Sequence, residues 1–509
     1  MPMSTTNPPD KDPGDSIGRN AAFAFAAQMV TSLATGLLTL YLVRALGPKD
    51  FGVLSIAIGL GVLCLLPGDF GVSSSTARFV AEQHGNWSVT GGLLRHALKL
   101  KLVASGVLAV ALFALAEPIS DGYGSPGLVG PLRWIAVAMF FQSFMQLFMA
   151  LFVALRRVVV NLRIISTEAI CEATTAAAFV LAGGGAAGAA AGRATGYAVA
   201  ATLGLWLAIR TIGRRNVREG EAPGAARRIF GYAGALVIID GAFALMVPIG
   251  TLILGALLSA SAVGLYAAPS RFITFLHYPG LSIANAIAPR LARREGHEPD
   301  TAALLTGLRW IMLIQTVLVA PTVVWARPIA DILLGPGYER SADVLAVLAP
   351  FTFLSGFGPL VSVSVNFLGE ARRRVPIAII TLLISVTLDL ILISQIGLLG
   401  GAISTDIAYG FYVLGHLWIC KKLLDVPLRP IGRDLLRCMV AAVAMGGVMA
   451  AFGTSDLAAW QIVAGGVAGV GVYLGALLVL GAVSMDELRG ARRFVARKFG
   501  RRRRAGTAG

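Results

Sequence analysis

Residues 51–78 read FGVLSIAIGLGVLCLLPGDFGVSSSTAR, and residues 263–290 read VGLYAAPSRFITFLHYPGLSIANAIAPR. In this register Gly52 answers Gly264, Pro67-Gly68 answers Pro279-Gly280, and Arg78 answers Arg290. Both stretches are long apolar helical runs. A proline inside such a run removes a ladder donor and clashes with the preceding turn. Pro67, Gly68, Pro279 and Gly280 are therefore expected helix breaks. An apolar helix interrupted at corresponding places in two halves of a chain points to the working centre of a transporter.

The whole chain fits a membrane setting. Of its 509 residues, 56% are hydrophobic and only 14% charged. Many runs are long enough to cross about 30 Å of hydrocarbon. Fourteen spans are expected, near 20–43, 52–77, 96–116, 132–155, 164–182, 187–209, 229–256, 263–289, 304–326, 342–368, 376–396, 399–420, 436–453 and 459–482. Helices satisfy their own backbone polar groups in lipid, and the alternating segments of a barrel are absent. The expected fold is an all-α polytopic membrane protein with about 14 transmembrane helices, in two six-helix lobes in parallel repeat plus two C-terminal helices.

The net charge of +16 could suggest a nucleic-acid partner, but its placement excludes that reading. With the N-terminus inside, the inner segments hold 36 of the 43 Lys and Arg, the outer loops hold five, and Arg193 and Arg271 lie within spans. Such a bias places both termini in the cytoplasm. The four cysteines lie in or beside apolar runs without metal-ligand spacing and read as packing residues. Gly183-x-Gly185-x-x-Gly188 has dinucleotide-fold spacing, but it joins two spans with no strand before it. There is no P-loop, and the histidines have no zinc spacing. No metal or cofactor is expected.

The duplication continues beyond the quoted stretch. Glu117-Pro118-Ile119 parallels Arg327-Pro328-Ile329, Gly188-Ala189 parallels Gly401-Ala402, and Trp206 parallels Trp418. Residues 1–18 read as a disordered cytoplasmic tail and the first span as an uncleaved anchor. The N-lobe follows at 19–212, a cytoplasmic linker at 213–228 and the C-lobe at 229–424. Spans 13 and 14 occupy 431–484, and residues 485–509 form a basic cytoplasmic tail suited to an anionic leaflet. Copies with an even number of spans share one topology, so an axis along the membrane normal relates them, with the substrate path between.

Asn20, Gln28, Arg44, Leu46-Gly47 and Phe51-Gly52, with LYAAPSRF and NFLGEARRRVPIAI in the second half, resemble the polysaccharide-exporter flippases. These belong to the multidrug/oligosaccharidyl-lipid/polysaccharide superfamily. The resemblance covers most of residues 19–425. It implies a V-shaped pair of lobes around a central cavity in the bacterial inner membrane. It also implies transfer of undecaprenyl-diphosphate-linked oligosaccharide between leaflets by alternating access. The implied partners are that lipid-linked substrate, membrane lipids and polysaccharide polymerases or ligases. In the related lipid II flippases two extra C-terminal spans line a groove for the lipid tail, and spans 13 and 14 are candidates for the same role.

Ionisable groups at membrane depth are costly and mark pathways or pairs. Arg271, eight residues before Pro279, suits bidentate binding of a diphosphate or an internal salt bridge. Arg193 lies on a helix with Gly188, Gly192 and Gly196, a close-packing face, and suits a cavity role or snorkelling. Asp240 is the repeat partner of Gln28 and is a candidate for coupling to a proton or sodium gradient. Glu168 and Glu172, four apart, share one helix face. They suit a hydrated wall and ion coupling, or pairing with Arg163 or Arg193. Asp389 and Asp406 are weaker candidates. Asn20, Gln28 and Gln142 are candidates to bind substrate, with Gln146 and Asn366 beside them; helix packing is the alternative. The excess of deep acids over deep bases equally suits a cation-coupled multidrug exporter. A glycan polymerase or ligase would need a longer outer loop than the roughly 15 residues available here.

Overall fold

A computed structural model gives the architecture. It describes residues 17–83, 85–224, 248–291 and 299–485, together with Gly241, Leu245, Met246 and Glu487; the side chains of residues 17–30 lie outside that description. The chain is an all-α polytopic membrane protein, and no strand occurs among the described residues.

Helix α1 runs from Ile17 to Asp69 through a sharp turn at Gly47 (φ 69°, ψ 176°). A single non-helical residue thus separates the stretches expected to be the first two spans, at a φ that glycine adopts without strain. A second break follows Asp69, where Phe70 (φ 39°) and Gly71 (φ 70°) are both left-handed. Helix α2 then covers Val72–Glu82. Pro67-Gly68 therefore sits in the last turn of α1, and the chain bends just after it. In the second copy, α9 (Pro248–Leu257) leads to α10 (Ala260–Leu276). The turn falls at His277, and α11 (Tyr278–Ile287) carries Pro279 in its first turn, where no ladder donor is missed.

The chain divides into two compact units. One is built from the described parts of Met1–Leu42, Leu60–Asp121 and Pro126–Val237; the other from those of Val43–Gly59, Gly122–Ser125 and Ile238–Gly509. In the first, α3 (Trp87–Ala114) starts at Asn86, whose side chain accepts from the Val89 amide at 3.2 Å. The short α4 (Ala116–Gly122) precedes α5 (Val129–Ala154), α6 (Val158–Leu181), α7 (Gly185–Ile212) and α8 (Arg214–Glu219). Helices α6 and α7 form a tight pair. A Cβ on Gly188 would meet Phe179 at 3.1 Å, and one on Gly196 would meet Glu172 at 2.8 Å; Gly192 lies between, against Ala176. The three glycines let backbones approach where lipid supplies no hydrophobic force for association.

In the second unit, α12 (Thr301–Val324) is capped by Asp300, which accepts from the Ala303 amide at 2.9 Å. Helix α13 (Ala326–Leu333) follows. The expected tenth span is three pieces, α14 (Ser341–Val347), α15 (Ala349–Ser355) and α16 (Phe357–Phe367), with a 50° bend after the first. Helices α17 (Arg374–Ile396) and α18 (Leu398–Leu424) turn at Gly397 (φ 64°), as α6 and α7 turn at Gly183 (φ 87°). The added pair, α19 (Leu428–Ala451) and α20 (Ala459–Val479), packs on α12. Tyr473 Oη donates to the Leu313 carbonyl at 2.8 Å and Trp325 Nε1 to the Gly453 carbonyl at 3.0 Å.

Ten of the described helices are long and apolar enough to cross a membrane, or eleven if the bent tenth span is one. Three features separate this number from the expected fourteen. The expected count takes α1 as two passes and α10–α11 as one span, whereas each of α10 and α11 is short and α1 is continuous but for Gly47; the expected seventh span falls mostly outside the described residues.

The repeat's own glycines meet within the second unit. Gly52 packs against the backbone of Ala260 and Gly264, and Gly264 packs against Pro48. The crossing is reciprocal, each glycine facing the position four residues before the other. Since backbone cannot yield, Gly264→Val should destabilise by about 1–3 kcal/mol, read as a lower melting temperature in detergent. The same change at Gly447, where nothing lies within 4 Å of an added Cβ, should leave it unmoved.

Candidate functional site

Two charged centres are built inside the first unit. The close approach of α6 and α7 sets up the first. Arg193 on α7 donates from Nη1 to Glu172 Oε1 on α6 at 2.9 Å, and from Nη2 to Tyr197 Oη at 2.9 Å. Its guanidinium also lies over the Tyr197 ring, 5.2 Å from the centroid. Glu168, one turn before Glu172 and buried, interacts with both Glu172 and Arg193. Of the readings left open by the sequence, pairing between these acids and Arg193 is the arrangement seen. The guanidinium is neutralised within its own helix pair and does not stand alone as an anion receptor.

The second centre surrounds the break after Asp69. Lys101 on α3 is fully buried and forms an ion pair with Asp69, the last residue of α1. Its ammonium also donates to the Ser143 carbonyl at 2.6 Å and to Ser143 Oγ at 3.0 Å on α5. Ser73, in the first turn of α2, donates to Asp69 Oδ1 at 2.6 Å. Ser105 Oγ donates to the Gly68 carbonyl at 3.2 Å and lies 2.7 Å from Ser143 Oγ. Sequence reasoning missed this centre, because Lys101 was counted among the inner basic residues. The signal was there: Lys101 lies inside the third span, and Asp69 directly follows Pro67-Gly68.

The second unit uses its acids differently. Asp406 on α18 accepts from the Phe351 amide at 2.7 Å, capping the start of α15. Asp389 on α17 is buried beside Gly250 and accepts from Ser385 Oγ at 3.4 Å. Asn366 accepts from Arg374 Nη1 at 2.8 Å. Gln315 on α12, fully buried, donates to the Leu276 carbonyl at 3.0 Å, at the end of α10.

The remaining candidates are scattered over these elements. Arg271 lies exposed on α10, two residues past Pro269. Gln142 is half-buried on α5, next to Ser143. Gly68 and Gly280 are buried at their respective breaks, Gly280 against Gly356. Asn20 and Gln28 lie on α1, but their side chains, like Asp240 as a whole, lie outside the described residues. The basic residues near span ends serve locally. Arg44 donates to the Ile332 and Leu333 carbonyls at the C-terminus of α13, Arg78 pairs with Glu82 at 3.3 Å, and Arg290 with Asp300 at 2.6 Å.

Solved structures show that the fold is shared. A lipid II flippase, MurJ, in an inward closed conformation superposes with a TM-score of 0.71 at 14% identity, over 91% of this chain and 98% of that one. An inward-facing multidrug resistance MATE family transporter of the MOP superfamily superposes with a TM-score of 0.60 at 17% identity, over 81% and 96%. The chain belongs to the polysaccharide biosynthesis protein family, whose pattern matches residues 17–295. It is 20% identical over 423 residues to a probable low-salt glycan biosynthesis flippase, Agl15, of Haloferax volcanii, covering 81% of this chain and 85% of that protein. It is 23% identical over 404 residues to a putative O-antigen transporter of Shigella flexneri, covering 76% and 93%.

A double-mutant cycle tests the first centre. Glu172→Gln and Arg193→Gln should each lower the melting temperature, and together they should reveal a coupling of about 1–3 kcal/mol. A coupling near zero would mean that the pair carries no interaction in the detergent-solubilised protein.

Proposed function

We propose that this protein is a flippase, a transporter and not an enzyme, that carries undecaprenyl-diphosphate-linked oligosaccharide across the bacterial inner membrane for surface polysaccharide synthesis. Membership of the polysaccharide biosynthesis family carries the reading. Two relatives bearing the names of a glycan biosynthesis flippase and an O-antigen transporter support it.

The physical task is specific. Taking a diphosphate and sugar hydroxyls through hydrocarbon is prohibitive unless charge and hydrogen bonds are met on the way. The polyprenyl tail needs no such help and stays in the bilayer. In this reading the two lobes alternate in access about a hydrated path between them, with both termini cytoplasmic. Arg271, on the broken span of the second copy, binds the diphosphate. Gln28, Asn20 and Gln142 bind sugar hydroxyls. Asp240 and the Glu168–Glu172 pair couple the cycle to a proton or sodium gradient. Arg193, held by Glu172, acts through that pair. On the far side a polymerase or ligase takes the product.

A cation-coupled multidrug exporter on the same fold is the second reading, favoured by the buried acids Glu168 and Asp389 and the half-buried Asp406. Internal commitments weaken it: Glu172 is offset by Arg193, Asp69 by Lys101, and Asp406 holds a backbone amide.

Purified protein in liposomes should move a fluorescent undecaprenyl-diphosphate oligosaccharide between leaflets. Arg271→Ala should slow this at least roughly tenfold while the amount of protein in the membrane is unchanged. A deletion strain with normal lipid-linked glycan and new sensitivity to cationic dyes would move the assignment to the second reading.

A further inference from the structure

The two broken spans expose the same problem to the same neighbour, and the two copies solve it differently. Where a helix breaks at membrane depth, its last carbonyls lose their ladder donors and need another partner. In the first unit Ser105 on α3 donates to the Gly68 carbonyl. In the second, Gln315 on α12 donates to the Leu276 carbonyl. The offset that sets Pro118 opposite Pro328 also sets Ser105 opposite Gln315. The two donors thus occupy one duplicated position on the following span, while the breaks they serve are displaced in the register, Phe70 answering Ser282 and His277 answering Leu65.

The first copy adds an ion pair between a fully buried ammonium and a half-buried carboxylate. The three protons of the Lys101 ammonium meet three acceptors, an Asp69 carboxylate oxygen and the carbonyl and hydroxyl of Ser143. The carboxylate spans the break, belonging to the end of α1 while accepting from Ser73 at the start of α2. Taking the Lys101 charge fully out of water, and Asp69 most of the way, costs more than burying a neutral hydrogen-bonded pair, so the ion pair is weak evidence for a purely stabilising role. In the second copy the corresponding donor is a neutral amide, and the break residue His277 interacts with the Ser355 backbone, with no buried cation in place among the described residues.

We propose that Lys101 and Asp69 form a charge lock on the broken second span, and that its making and breaking is a step of the transport cycle. Lys101 is a positioning residue: it acts through the geometry of α1 and α2 and does not touch the cargo. The lock rests on the flippase reading only for its assay.

The test replaces the ion pair with a neutral, hydrogen-bonding one. Lys101→Gln combined with Asp69→Asn should accumulate in the membrane as the wild type does. It should lower the maximal rate of lipid-linked oligosaccharide transfer in liposomes by tenfold or more, with the half-saturating substrate concentration unchanged. Transfer at the wild-type rate by this double variant overturns the proposal. So does a change confined to the half-saturating concentration, because Lys101 would then be binding cargo. Should the double variant fail to accumulate, Ser143→Ala decides. It removes one hydrogen bond to the ammonium and retains the carbonyl, so transfer should fall several-fold at constant protein level, and an unchanged rate rejects the lock. A wild-type protein that transfers no glycan lipid refutes the flippase reading alone, and the same variants are then scored on dye efflux.

Discussion

Backbone polar groups have nowhere to go in hydrocarbon, and that constraint organises this molecule. An unbroken helix satisfies them internally; each interruption must be met by a side chain or another backbone. The described helices are interrupted at Gly47, at Phe70-Gly71, at His277 and within the tenth span, and each interruption is met from elsewhere in the same unit, the last by Asp406 on the Phe351 amide. Arg44, close to the Gly47 turn, feeds the carbonyls at the end of α13, while Tyr338 Oη donates to the Val43 carbonyl at 3.0 Å. Ser105 and Gln315 serve the two Pro-Gly breaks. These polar side chains in the spans are tied to places where regular structure stops, whereas the Glu172–Arg193 pair joins two unbroken helices.

Much of the fold is legible in the sequence because membrane helices are written in long apolar runs and in glycine spacing. The i, i+4 glycines of α7 announce a tight pair, and the structure shows α6 in that contact. The repeat at Gly52 and Gly264 is visible as a coincidence of letters. Its cause is not, because reciprocal packing on Ala260 and Pro48 depends on two distant segments meeting. Boundaries are less legible. Pro67-Gly68 marks the break, yet the bend comes after Asp69, since proline disturbs the turn before it while the left-handed residues that redirect the chain follow.

The candidate site is less legible than the fold, because an ionisable residue in a span says that something pays its desolvation cost without saying what. Glu172 and Arg193 lie on consecutive helices, and their pairing was among the open alternatives. Lys101 is passed over for a different reason. Orientation rules treat Lys and Arg near span ends as anchors in the headgroup layer, and Lys101, near the start of the expected third span, reads as one of them. The distinction lies in Asp69 and Ser143, on two other helices.

These pairings change how charge at membrane depth should be weighed. Counting ionisable residues favours cationic cargo; counting after pairing does not, since Glu172, Asp69 and Asp406 each satisfy a partner in their own unit. The field offered to a substrate is what remains once internal commitments are subtracted, and one protonation or one opened pair alters it by a full charge. A duplicated fold gains from placing such a pair in one copy only. Two identical hinges would respond alike to the same event, whereas a charged hinge and a neutral one respond differently. The Lys101–Asp69 centre and its neutral counterpart at Gln315 give the two copies that difference while leaving their common helical frame intact.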